Sequence, residues 1–180
     1  MVGIIWGSVS ALIAGPPAKN KYQDLADEMV WDWPKDKAHL KYCCEHYKGA
    51  FELENEEEGE GRETLVTFKD KEGKKVFSFL AHNQTVFVES NNIVYYANYT
   101  PHSTGCTLIA YDLKAGKELW KTGLKGLGRI AHFQYHNAVA LDIKEGALRI
   151  LGNEAAGQYV EFVDMKTGKT VGHKVFKKDP

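Results

Sequence analysis

From Thr64 onward the chain breaks into ten short runs rich in Val, Ile, Thr and aromatic residues: 64–69, 76–80, 85–89, 93–99, 107–113, 118–122, 138–143, 147–151, 159–165 and 170–176, bounded by Gly, Asn or Asp. Side chains of these types suit a pleated, half-buried surface, and the runs are strand-length rather than helix-length. Parallel strands need a long crossover, usually a helix, and no helical pattern intervenes between the runs. A parallel βαβ fold is therefore excluded. The expectation is a mainly β fold: an antiparallel meander arranged as propeller-like blades, a sandwich or a barrel.

Ahead of these runs the pattern differs. Leu25, Ala26, Met29 and Val30 recur at helical spacing, and residues 38–47 carry no breaker before Gly49, with Asp32 placed to cap and Pro34 to sit in a first turn. One or two short helices are expected across 19–48, as the N-terminal part of a single β-rich domain spanning 19–180. A chain of 180 residues with 43% apolar side chains suffices for one core. Trp31, Trp33, Tyr42 and Tyr47 are expected to pack the helices on the sheet. The acidic run 54–63, which contains Gly59 and Gly61, has no apolar period and reads as a solvated loop or tip.

Residues 2–15 are apolar and are followed by Pro16 and Pro17. The stretch is too short to span a bilayer and has the length of a secretory signal's core, so residues 1–18 read as a signal-like segment, with a first strand of the fold as the alternative. No transmembrane span is expected, and a secreted or periplasmic location follows. Sequons at Asn83 and Asn98 suit that location. Cys43 or Cys44 can pair with Cys106, closing a loop of about sixty residues for roughly 4 kcal/mol, or all three stay as buried thiols. With 23 Lys and Arg against 24 Asp and Glu, the chain has no field to attract nucleic acid. The partner classes left are a second copy of the chain or another extracellular protein.

Three hairpins share a Gly-Lys turn, at Gly73-Lys74, Gly116-Lys117 and Gly168-Lys169, spaced 43 and then 52 residues apart. That is the period of stacked four-stranded units. Each glycine can take the left-handed conformation that closes a turn, while Asp112 and Asp164 are placed to accept bonds from turn amides. The middle copy, Ala110-x-Asp112-x-x-Ala115-Gly116-Lys117-x-x-Trp120, closely resembles the tryptophan-docking repeat of quinoprotein-type β-propellers, which usually has Thr where this chain has Ala115. The third copy has Asp164, Thr167 and Gly168 but puts Phe162 in place of the alanine and Gly172 in place of the tryptophan; the first keeps little beyond Gly73 and Lys74. The resemblance covers roughly the last hundred residues. It implies that Ala110, Asp112, Gly116 and Trp120 hold blades together and implies no activity. Enzymes of that family set a vicinal cysteine pair beside their quinone. Cys43-Cys44 is not read that way, because about three repeats cannot close a ring around such a cofactor. No cofactor is expected.

The densest polar constellation lies at 126–137, where Arg129, His132, Tyr135, His136 and Asn137 fall in a long connection between two runs, a place where binding residues concentrate. The planar fork of Arg129 suits a carboxylate or phosphate. On a helix His132 and His136 would share one face as half of a metal site, needing a further ligand such as His173 or Glu154. No Glu follows His132 in the zinc-protease sense. Glu154, in the 152–157 turn, would raise the basicity of His132 if the two met. Cys43-Cys44-Glu45-His46 sets thiols near an imidazole. No phosphate-cradling glycine loop, serine elbow or CxxC pair occurs. These features point to an exported, non-enzymatic binding or structural module that presents Arg129, His132, Tyr135, His136, Asn137 and Glu154. The alternatives are a small metal-dependent hydrolase built on His132 and His136, and one subunit of a propeller-like or filamentous assembly.

Overall fold

The computed structural model describes residues 20–58, 63–82, 85–98, 106–124, 138–154 and 157–176. Strands within them form three antiparallel sheets, in each of which the strands lie side by side in chain order. The first sheet holds β1 (Glu52–Glu58), β2 (Glu63–Lys69) and β3 (Lys75–His82); the second β4 (Val86–Ser90), β5 (Ile93–Asn98), β6 (Thr107–Asp112) and β7 (Lys117–Gly123). The third holds β8 (Ala138–Lys144), β9 (Ala147–Glu154), β10 (Gly157–Asp164) and β11 (Thr170–Phe176). The fold is thus mainly β and meandering. Each described sheet is open rather than closed on itself.

Every sheet carries one Gly-Lys turn, always between its last two strands. Gly73, Gly116 and Gly168 sit there at φ +76°, +65° and +68°. Their turns are held by an aspartate at the start. Asp112 Oδ1 accepts from the amides of Lys114 and Ala115 at 2.9 and 2.8 Å. Asp164 Oδ1 accepts from those of Lys166 and Thr167 at 3.1 and 2.8 Å and from the Thr167 hydroxyl at 2.8 Å. These bonds, the hydroxyl first, hold the Asp164 carboxyl below its ordinary pKa. Asp70 does the same for Glu72 and Lys74, at 3.1 and 2.8 Å, a role the first copy's sequence did not disclose. Aligned on this turn, β1, β2 and β3 correspond to the second, third and fourth strands of the other sheets. Among the described residues the first sheet has no counterpart of their first strand.

Alternation places the core. Along β5, Val94 and Tyr96 face the first sheet and pack with Val66, Phe68 and Phe79, whereas Tyr95 and Ala97 face the third and pack with Leu148, Ile150 and Val163. The second sheet is therefore buried on both faces, with hydrophobic burial as the main driving force. The third sheet's other face, with Ala140, Leu151, Val160 and Phe162, is covered by α1 (Lys21–Glu28) through Ala26, and by Trp31 and Trp33. Asn20 caps α1 through its side chain and also bonds to the Val171 carbonyl. The Gln23 amide bonds to both backbone groups of His173, at 2.9 and 3.2 Å, so the helix occupies the free edge of β11. Gly172 makes this approach possible, because a Cβ there would strike the Tyr22 backbone.

Two expectations are corrected. The acidic run is not a loop over its first part: residues 54–58 belong to β1, paired with β2 throughout. Leu53, opposite Phe68, packs against the core, while Glu54, Asn55, Glu56 and Glu57 stay exposed, so backbone pairing with β2 carries this strand and its charges blunt the sheet edge. The second helix, α2, runs only over Leu40–Glu45, capped by the His39 side chain on the Tyr42 amide at 3.2 Å. Asp32 plays no part in that cap, because the turn after Pro34 closes as a 3-10 turn at Lys35–Lys37 and His39 is extended at φ −156°, ψ 159°.

Candidate functional site

The sequence-derived candidates do not converge in the described part of the fold. Arg129, His132, Tyr135, His136 and Asn137 lie outside the described residues, as do Asn83 and residues 59–62 of the acidic run. Glu154 ends β9 opposite Gly157, and His173 lies on β11 opposite Glu161. Among the described residues no three His, Cys, Asp or Glu side chains are grouped to hold a metal. No disulfide joins Cys43, Cys44 and Cys106, so the long-range bridge is not made in this structure. Cys106 is buried between the second and third sheets, whereas Cys43 and Cys44 ride on α2.

The repeat residues hold sheets together. Ala110 is fully buried in the shared core, and Trp120 donates from Nε1 to the Met165 carbonyl at 3.0 Å, in the turn that contains Asp164 and Gly168. That is a stabilising contact between the second and third sheets and leaves no reactive group exposed.

A cleft of about 340 Å³ opens instead where the first strands meet. β4 and β8 lie against each other, and α2 packs on the other flank of β4. The helix thus packs on β4 with the core that β4 shares with the first sheet. A hollow remains between the helix and these two strands. Cys43 ties the helix to β4, its sulfur accepting from the Phe87 amide at 3.4 Å.

The helix wall of the cleft presents Tyr42, Cys43 and His46, at helical spacing, then Tyr47 and Lys48. Tyr42 and His46 are stacked, ring centroids 3.9 Å apart, and His46 Nδ1 lies 3.0 Å from the Tyr42 carbonyl, to which it donates. Burial pushes the Cys43 thiol up despite the Phe87 amide, and burial with the neighbouring Cys43 and Glu45 pushes Cys44 up to about 11. Both are held as thiols at neutral pH, the unreactive form, so the Cys-His pair is not poised as a nucleophile. The Tyr47 hydroxyl is buried and has no hydrogen-bond partner among the described residues. Its pKa is raised, first by burial and, against the pull of the Phe51 backbone, by Glu89, so it stays protonated.

The strand wall is lined by Phe87, Val88 and Leu141 together with Glu89 and Asp142. Both carboxylates are engaged. Glu89 accepts from the Asn92 amide at 2.6 Å in the β4–β5 turn, where Asn91 and Asn92 both have positive φ. Asp142 is gripped by Arg149, Nε to Oδ1 at 2.8 Å and Nη2 to Oδ2, which raises the guanidinium's pKa. Sequence reading found Cys43 and His46 but not Lys37, Lys48, Glu89 or Asp142 as their neighbours. Only the approach of α2, β4 and β8 unites them.

No family model matches the chain, and no curated protein matches it. Among solved structures it is similar to the Bacillus megaterium YpeB C-terminal domain, at 8% sequence identity over 73% of this chain and 92% of that chain, with a TM-score of 0.21. A superposition that loose carries no argument about what this chain does.

Proposed function

We propose that the chain is a non-enzymatic binding module whose ligand site is the cleft between α2, β4 and β8. The observation that carries this reading is the cleft itself. Its volume of about 340 Å³ falls in the range of small-molecule sites, and its lining combines apolar side chains with polar ones, as such sites do. The protonated thiols beside His46 favour binding over nucleophilic chemistry. The hydrolase reading rests on His132 and His136, outside the described residues, and gains no support from the described ones.

The test is a fragment mixture followed by backbone amide shifts. Saturable shifts clustered at residues 46–49, 87–89 and 141–142 are expected. Hits confined to other surfaces, or none, would remove this reading.

A further inference from the structure

We infer that the cleft takes a small organic anion, a carboxylate or phosphate on an apolar body; this rests on the reading of the cleft as a binding site. Charge accounting is the first ground. Lys37 and Lys48 line the cleft, and neither makes an ion pair among the described residues. Of the two acidic residues there, Asp142 has both carboxylate oxygens held by Arg149, which cancels its charge locally. Glu89 alone is left to oppose two lysines, on a chain whose formal net charge is −1. The cleft is thus a positive patch on a near-neutral protein, and low-dielectric walls strengthen its field on anything inside.

Donor chemistry is the second ground. The donors that line the cleft belong to Lys37 and Lys48, the Tyr47 hydroxyl being buried beside Gly49 and Glu89. A cationic ligand offers them no acceptor. Bonds between lysine and a carboxylate or phosphate are charge-assisted and stronger than neutral ones. Phe87, Val88 and Leu141 line the cleft with apolar surface that an apolar body covers, which selects an organic anion over an inorganic one.

Four probes of one shape test this by amide-shift titration: benzoate, phenyl phosphate, benzamide and benzylammonium. Benzoate or phenyl phosphate is expected to shift the amides of 46–49, 87–89 and 141–142 saturably, and whichever binds tighter tells carboxylate from phosphate. Benzamide and benzylammonium should bind roughly tenfold more weakly or worse, and Lys37→Gln with Lys48→Gln should abolish that preference. Both lysines are exposed, so the double variant keeps its fold. Benzylammonium or benzamide binding as well as the anions, or benzoate binding unchanged in the double variant, would overturn the anion assignment while the cleft remained a binding site. No shift with any probe would overturn both.

Discussion

Trp120 lies across Gly168, and the contact joins the second sheet to the third. A Cβ built on Gly168 would stand 2.6 Å from Cε3 of the indole, and the residue also sits at φ +68°. Gly116, in the equivalent turn of the second sheet, has φ +65° and open space where its Cβ would go. Two glycines with the same backbone therefore differ in one respect, the ring above one of them.

That difference separates strain from docking. Gly116→Ala should cost about 1 kcal/mol, the left-handed penalty alone. Gly168→Ala carries the same penalty plus a displaced indole and a weakened bond to Met165, and should cost about 3 kcal/mol. Urea unfolding of both variants gives the comparison. Equal losses would mean that the indole moves aside freely and contributes nothing to the joint between sheets.

The second turn lacks a bond that the third one has. Thr167 donates its hydroxyl to Asp164 at 2.8 Å, and Ala115 stands at the matching place after Asp112. Ala115 is exposed, so no packing is lost by enlarging it. Ala115→Thr should stabilise the protein by about 0.5–1 kcal/mol. The same change should give nothing on an Asp112→Ala background, which a double-mutant cycle by thermal unfolding would measure. A gain that survived loss of the aspartate would place its origin elsewhere.

What the sequence made legible follows the range of the interactions involved. Strands β2 to β11 were readable because alternation and turn residues are local signals, and the Asp-Gly turns declare themselves within a few residues. β1 was hidden because its exposed glutamates outweigh Leu53 in any average, although pairing with β2 sets Leu53 opposite Phe68. The meaning of Gly172 needed the structure: the position where the repeat would carry tryptophan is where the Tyr22 backbone settles. The cleft was illegible for the same reason. Cys43 meets Phe87 across 44 residues of sequence, and Leu141 and Asp142 approach from a third segment, so no window along the chain contains the site.

The protonation of the α2 thiols has a measurable consequence. Cys44 is held at about 11 against an ordinary 9.0 because its charged form would be desolvated beside α2's neighbours, and Cys43 shifts the same way. At pH 8 the thiolate fraction of Cys44 is then about a hundredth of that in an unfolded chain, and alkylation by iodoacetamide, which consumes thiolate, should slow by about the same factor. The folded-state rate should climb about tenfold per pH unit up to about 11. For stability the sign is fixed by which state loses protons first. Below 9.0 both states keep the Cys44 proton and the thiol contributes no slope; between 9.0 and about 11 the unfolded chain ionises while the folded one does not, so stability falls as pH rises. Tyr96, raised to about 12 by burial, then by Glu118 and Tyr111, extends the fall beyond that window. Cys44→Ser should shallow the slope between 9.0 and about 11 and leave the later part unchanged. Alkylation of the folded protein at the unfolded rate at pH 8 would mean that α2 lifts readily from β4, and with it the wall of the cleft.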